Sequence, residues 1–258
     1  MKKLLSIIIS MSILLVACAA LNNNPIEQDV VDPSESNYHA FFANRGIERN
    51  RLSRRQTEQR QATWTKSDQF SDVFVNLIVY EDGNGVSYLF SEETGQLLSV
   101  DAISFASANA DLDVIENSVM REEEAIDIAE RYLNMLVSNP NEYRLDEVRG
   151  GTPRNPFEVW FRHYIYDVPT DDLFRICIRV DGEIIWIDLI TYGMFSNITV
   201  DPDALERAIA QSHDEYYQQY LTTDGTTVAF VTNYVVKGEP CEDGLYVTWL
   251  EQEVVVLE

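Results

Sequence analysis

FEVWFRHYIYDVPTDDLFRICIRVDGEIIWIDLITYG, residues 157–193, decides the fold. It divides into three short runs rich in β-branched and aromatic residues, "FEVWFRHYIYD", "DLFRICIRVDG" and "EIIWIDLITYG", with Asp181-Gly182 as the turn between the second and the third. Three more strands are predicted upstream in "VFVNLIVYEDGNGVSYLFSEETGQLLSVDAIS", residues 73–104, again separated by glycine-bearing turns. The two triplets match. "TGQLLSVDAI" from Thr94 lies on "DGEIIWIDLI" from Asp181, and "NLIVYED" at 76–82 lies on "RHYIYDV" at 162–168, one residue out of phase. The offset is about 87 residues, long enough for a complete supersecondary unit.

A helix separates the triplets. In "REEEAIDIAERYLNML", residues 121–136, Ala125, Ile126, Ala129, Tyr132, Leu133 and Leu136 form one stripe, acids crowd the first turn, and Asn139-Pro140 ends it. A second helix is predicted in "DPDALERAIAQSHDEYYQQYL", with Asp201 as N-cap, Pro202 at N1, and Leu205, Ala208, Ile209, Tyr216 and Tyr220 along the inner face. "TVAFVTNYVVKG" and "GLYVTWLEQEVVVLE" close the chain as strands. The expected class is α+β, tandem repeats of a helix packed on a three-stranded antiparallel sheet, with regular structure starting near residue 70. The expected divisions are a signal peptide at 1–17, a tether and Arg-rich linker at 18–66, a first unit at 67–119, a second at 120–193, and a C-terminal helix with strands at 194–258.

The N-terminus addresses the chain. Met1-Lys2-Lys3 precedes an apolar run from Leu4 to Ala17, broken only by Ser6, Ser10 and Ser12 and shorter than the ~20 residues a bilayer requires. Leu15-Val16-Ala17-Cys18 resembles a lipobox, so Cys18 is expected to carry the lipid and to become the first mature residue, anchored on the extracytoplasmic face of the cell membrane. Cys177 and Cys241 then remain, either as one disulfide or as two inert thiols.

The chain carries a net charge of −24. Arg45, Arg49, Arg51, Arg54, Arg55 and Arg60 gather much of the positive charge in "RGIERNRLSRRQTEQR", which leaves the remainder more acidic still. Nucleic acid and anionic lipid are excluded as partners of so negative a body, whose charge serves solubility or a salty habitat. The arginines could lie on headgroups, dock on the acidic domain, or form a solvated linker. Calcium would need a loop of which "EDGNG" at 81–85 is only a fragment.

"EEAIDIAERYL", then "VWFRHYI", then "RICIRVDGEIIWID" together resemble the PepSY and PepSY-like repeats of secreted and lipid-anchored bacterial proteins, over roughly residues 70–190. The resemblance implies a helix on an antiparallel sheet, acting as a regulatory binding module toward proteases or sensor kinases, with no shared catalytic residues. This chain departs from the pattern in an extra acidic residue at the helix start and in a first unit without a clear preceding helix.

Chemistry is sparse. No G-x-S-x-G, Walker loop or dinucleotide fingerprint is present, so neither a catalytic residue nor a cofactor is assigned. His39 falls in the linker. His213 opens "HDEYYQQY", which lacks the second histidine of a zinc helix, so no metal ligands are assigned. His163 shares a strand face with Phe161 and Ile165, where a satisfied, partly buried imidazole is weighed against a ligand or base. Arg175 and Arg179 flank Cys177 on one face and could lower its pKa, or simply pair with neighbouring carboxylates. Asp101 and Asp188 recur in the repeat as an acid–base pair or as strand ends. Trp160, Tyr164, Tyr166 and Trp186, with Tyr192, could line a peptide or glycan groove or fill the core. The expected function is therefore a binding or regulatory module for a protein or peptide partner, accepted on a sheet edge. The alternatives are an envelope protein for a small ligand or glycan, and a hydrolase resting on Asp101, Asp188 and His163.

Overall fold

A computed structural model describes residue 42 and residues 52–62, 73–195, 198–211, 216–240 and 246–257. All of them belong to one compact unit, Ser34–Glu258. The signal peptide and Cys18, with His39, His213 and Cys241, lie outside the described residues. None of the described helices is long and apolar enough to cross a membrane.

The strands are β1 (Ser53–Gln61), β2 (Phe74–Glu81), β3 (Ser87–Ser91), β4 (Leu97–Asp101), β5 (Tyr143–Arg149), β6 (Phe157–Ile165), β7 (Val168–Ile178), β8 (Ile184–Asp188), β9 (Tyr216–Thr223), β10 (Val228–Pro240) and β11 (Tyr246–Leu257). The helices are α1 (Ile103–Ala108), α2 (Leu112–Asn117), α3 (Glu122–Leu136) and α4 (Pro202–Gln211), and a 3-10 turn spans Pro140–Glu142. The strands form one 11-stranded sheet in the order β1-β2-β3-β4-β8-β7-β9-β10-β11, with β6 on the other edge of β7 and β5 on β6.

This architecture overturns the expectation of tandem three-stranded sheets, each under its own helix. A meander ends in an unpaired row of N–H and C=O groups, and here the last strands of the two meanders satisfy each other. β4 and β8 pair antiparallel through Ser99↔Asp188, Val100↔Ile187 and Asp101↔Trp186. Val100 and Ile187 are equivalent positions in the repeat, so a local twofold axis passes between them. Ala102 N–H donates to Ile185 O at 2.9 Å and Leu189 N–H to Leu98 O at 2.7 Å, two bonds that this axis interchanges. Gly95 and Gly182 hold the same place in the matching turns, with φ of 68° and 92° that a side chain would strain. β1-β2-β3-β4 and β5-β6-β7-β8 are thus the two halves of one sheet.

Side-chain alternation gives that sheet two faces. Tyr80, Tyr88, Val100, Ile187, Ile176 and Val159 follow one another across both halves and are buried. α3 covers this face with Ala125, Ala129, Leu133 and Leu136, in a single core that includes residues of both repeats. Burying each Leu, Ile or Val there stabilises the fold by about 1.5–3 kcal/mol. A smaller core of Phe195, Val200, Leu205, Ala208, Leu221, Val228 and Phe230 joins α4 to β9 and β10. The two sheet regions meet where β7 runs past β8, through the parallel bridge Thr170↔Leu221.

Three local expectations differ. Residues 53–61, read as linker, form the edge strand β1, whose side chains are polar on both faces; it holds by its ladder to β2 and by Arg55 to Glu81 at 3.0 Å. β5 escaped notice for the same reason, its sequence YRLDEVR showing no clean alternation. The helix from Pro202 stops at Gln211, and Tyr216 to Thr223 is β9 rather than a continuation, so Tyr216 and Tyr220 belong to a strand. β-sheet pairing with β10 along Val228↔Thr223 to Tyr234↔Tyr216 overrides the helical spacing.

Candidate functional site

The site is built by an irregularity of β7. β6 and β7 pair at Arg162↔Leu173 and again at Tyr164↔Pro169, so His163 alone opposes Thr170, Asp171 and Asp172. Such a bulge re-aims side chains. The chain satisfies its backbone locally: Thr170 Oγ1 donates to His163 O at 3.1 Å, Asp172 N–H donates to Thr170 Oγ1 at 3.1 Å, and Arg162 Nη1 donates to Thr170 O at 2.9 Å. Leu173 N–H donates to Thr191 Oγ1 at 2.6 Å, which ties the bulge to the loop after β8.

Around it opens a pocket of about 290 Å³, lined by His163, Asp172, Glu142, Tyr143, Tyr192 and Phe195 together with Gln96, Ser138, Asn139 and Gly193. His163 is its centre. Glu142 Oε2 lies 3.3 Å from Nε2, and Asp172 Oδ2 lies 3.8 Å from Nδ1, so the imidazole stands between two carboxylates. The Tyr143 ring lies 5.2 Å from the imidazole and the Phe195 ring 6.1 Å. Tyr192 closes one wall, donating its hydroxyl to Ser138 Oγ and accepting Ser138 N–H, both at 2.8 Å.

Burial dominates the electrostatics. It lowers the His163 pKa against the opposing pull of Glu142, which keeps the ring neutral at pH 7. It drives the Asp172 carboxyl well above the usual range, although the N–H groups of Met194, Gly193 and Phe195 act the other way. It also pushes the Tyr143 phenol up. His163 Nδ1 and Asp172 Oδ1 are sealed from solvent and have no hydrogen-bond partner, a cost the fold carries at this bulge. No group of three or more His, Cys, Asp or Glu side chains suited to a metal occurs among the described residues.

The residues singled out in the sequence fall elsewhere, His163 and Tyr192 excepted. Trp160, Tyr164 and Trp186 are half-buried on the face opposite α3, and guanidiniums stack on two of them: Arg149 and Arg175 on Trp160 at 5.0 and 5.4 Å, and Arg144 on Tyr164 at 4.4 Å. Trp160 and Trp186 sit in neighbouring rows, Trp160 beside Arg175 and Trp186 beside Cys177, so the four aromatics do not form one groove wall. Tyr166 is at the exposed β6–β7 turn.

Cys177 is a free thiol, 2% exposed, and burial followed by the charge of Glu158 pushes its pKa up to about 12, the reverse of an activated nucleophile. Its flanking arginines are engaged with carboxylates, Arg175 with Asp188 and Arg179 with Asp181. Asp101 and Asp188 accept the N–H of Ile103 and Ile190 at 3.0 and 3.1 Å, so each closes the end of its strand, and the two never approach His163's pocket. Asp82 of "EDGNG" is likewise consumed by its own turn, accepting Asn84 N–H, Val86 N–H and the Tyr88 hydroxyl at 2.8 to 3.1 Å.

Asp172, Glu142 and Tyr143 were not foreseen. The adjacent acids Asp171-Asp172 inside an apolar strand were a legible irregularity, but nothing local pointed them at a histidine. No protein-family model, no curated protein and no solved structure matches the chain.

Proposed function

We propose that this chain is a lipid-anchored, extracytoplasmic binding protein without catalytic activity, which takes a small polar ligand into the pocket around His163. The observation that carries the reading is the cavity of about 290 Å³ whose lining gathers His163, Glu142 and Asp172 with the aromatic side chains of Tyr143, Tyr192 and Phe195. Few convergent polar groups set among aromatic rings are the common form of a small-molecule site. No activated nucleophile stands beside the imidazole among the lining residues, which favours binding over hydrolysis. The anchor rests on Leu15-Val16-Ala17-Cys18 and the basic start before it.

Thermal denaturation against a library of small polar compounds tests the pocket. A ligand should raise the melting temperature of the wild type and not of Asn139→Trp, which fills the rim; hits that survive in Asn139→Trp would place binding elsewhere. Membrane fractionation tests the anchor. Cys18→Ala should move the protein to the soluble fraction, and equal membrane retention of both forms would refute lipidation at Cys18.

A second reading, a regulator of an envelope protease or sensor kinase as the PepSY resemblance implies, is favoured by β5. That strand pairs with β6 alone among the described strands and presents an outer edge to which a peptide could add. Crosslinking at β5 that recovers a reproducible protein partner would support it.

A further inference from the structure

We infer that the edge strand β1 is the side of the body that meets the membrane, where Arg54, Arg55 and Arg60 lie among the phosphates of anionic phospholipids. This rests on the anchor at Cys18 proposed above, and adds which edge turns to the bilayer and which lipids hold it there.

The three outer strands of the sheet differ in charge. β1 carries three arginines against Glu58 alone, β5 balances Arg144 and Arg149 with Asp146 and Glu147, and β11 has Glu251 and Glu253 and no Lys or Arg. Only the first of these edges attracts a negative surface. The strands behind it add little repulsion: β2, β3 and β4 together contribute two acids, Glu81 and Asp101. Neighbouring strands are about 4.8 Å apart, and charges more than about 8 Å away are screened at physiological salt, so the net −24 of the chain does not govern this edge.

The side chains of β1 suit an edge-on approach. All are exposed except Glu58 and Gln61, which are half-buried. Residues opposite each other on paired strands share a face, so Arg54, opposite Tyr80, projects on the side of α3, and Arg60, opposite Val75, projects on the other. The register shift between Arg54 and Gln56 sets Arg55 apart at a bulge. Cations thus reach past the edge from both faces of the sheet. Arg55 and Arg60 are engaged with Glu81 and Glu58, but these pairs are solvent-exposed and weak, and a guanidinium exchanges such a partner readily for a phosphate that accepts two N–H bonds. At the end of the ladder Phe74, opposite Gln61, is 54% exposed and supplies an apolar group for the headgroup layer. In the sequence Cys18 lies 35 residues before Ser53, a length that spans at most about 120 Å, and Arg45, Arg49 and Arg51 stand in that stretch. A lipid on Cys18 would therefore keep β1 within reach of the bilayer.

Fluorescence quenching on the lipidated full chain tests this. Bimane is attached at Thr57→Cys on β1 or Val256→Cys on β11, both exposed, in a Cys241→Ser background. The protein is floated with vesicles of phosphatidylcholine, or of equal parts phosphatidylcholine and phosphatidylglycerol, bearing a spin-labelled headgroup. The β1 label should be quenched on the mixed vesicles and not on phosphatidylcholine, and the difference should vanish in about 1 M salt. The β11 label should stay bright on both. Replacing Arg54, Arg55 and Arg60 together by Gln should lower the docked-to-undocked ratio by about ten-fold or more, whereas replacing them by Lys should keep most of it. A retained melting transition certifies each variant.

Quenching at β1 that survives the Gln substitutions, or that is equal on the two vesicles, would overturn the arginine contact. Quenching at β11 as strong as at β1 would overturn the orientation. Dimers of the Gln variant with quenching unchanged would assign the arginines instead to keeping this edge from pairing with a second chain. Protein that floats with both vesicles while the β1 label stays bright would overturn this inference and leave the anchor intact. Protein that floats with neither would overturn both.

Discussion

At positions related by the repeat, Asp101 is exposed and accepts only the N–H of Ile103, whereas Asp188 accepts the N–H of Ile190 and also pairs with Arg175. The same divergence runs over the whole face opposite α3. In the β1–β4 half it carries Leu77, Val79 and Leu89, which join Leu98 in a small buried apolar cluster. In the β5–β8 half it carries Glu158, Trp160, Arg175, Cys177, Trp186 and Asp188. On the face toward α3 the halves remain alike, both contributing to one apolar core. Backbone pairing can thus keep a twofold plan while one half acquires a different chemistry. The pocket follows the asymmetry: β3 has five residues and β7 eleven, and the additional stretch holds Thr170-Asp171-Asp172. The segments after β4 and β8 diverge too, the first becoming α1 and the second the turn through Gly193 that lines the pocket.

The largest effect should come from the axis that both halves share. Ile187→Ala, fully buried against Val100 and Ile176, should cost about 2–5 kcal/mol and lower the urea midpoint of a single transition. Two separated transitions, with the β1–β4 half unaffected, would mean that the halves fold independently and that the joint is incidental.

Asp188→Asn and Asp101→Asn measure the divergence directly. The first leaves the partly buried Arg175 short of its carboxylate and should cost about 1–3 kcal/mol. The second, on an exposed strand end, should change stability by no more than about 0.5 kcal/mol. Equal losses would remove the distinction drawn between the two carboxylates.

The hairpin turns sharpen it further. The β2–β3 turn uses Gly85 at φ 80°, while the β6–β7 turn places Tyr166 and Asp167 at φ 47° and 66°, left-handed values that cost non-glycine residues energy. Asp167→Gly should stabilise by about 0.5–1 kcal/mol, since its ion pair with Arg144 is solvent-exposed and worth little. A loss of stability would show that the pair outweighs the strain.

Cys177 gives a chemical readout with no expected change in stability. A thiol with its pKa pushed up to about 12 and a 2% exposed side chain should resist iodoacetamide in the folded protein at pH 8 and react fully in denaturant. Rapid labelling of the folded chain would return the arginine-flanked strand to consideration as a reactive site.

Much of the secondary structure was legible because its cause is local. Apolar runs bounded by Gly83-Asn84-Gly85, Gly95 and Asp181-Gly182 mark β2, β3, β4, β7 and β8, and the stripe from Ala125 to Leu136 marks α3. Asp201 accepts Asp203 N–H at 3.0 Å and starts α4, as its place before Pro202 predicts. β1 and β5 were hidden because each is held by a neighbour's backbone and shows too little apolar alternation to be read alone. Of the pocket, His163 on the buried face with Phe161 and Tyr192 in the aromatic set could be read. Glu142-Tyr143, Asp172 and Tyr192 come from three separate segments and carry no common spacing.

The amino-acid sequence by itself determined the matching of the two strand triplets, the identity of most strands and of two of the four described helices, the acidic character of the body and the case for a lipid on Cys18, since each depends on residues adjacent along the chain. Tertiary structure alone decided that β4 and β8 join the two meanders into one sheet, that β7 bulges opposite His163, and that Glu142, Asp172 and Tyr192 gather around it. Register and bulges are settled by pairing between distant strands, where a shift of one residue exchanges the buried face for the open one, and no local pattern records which partner a strand will meet.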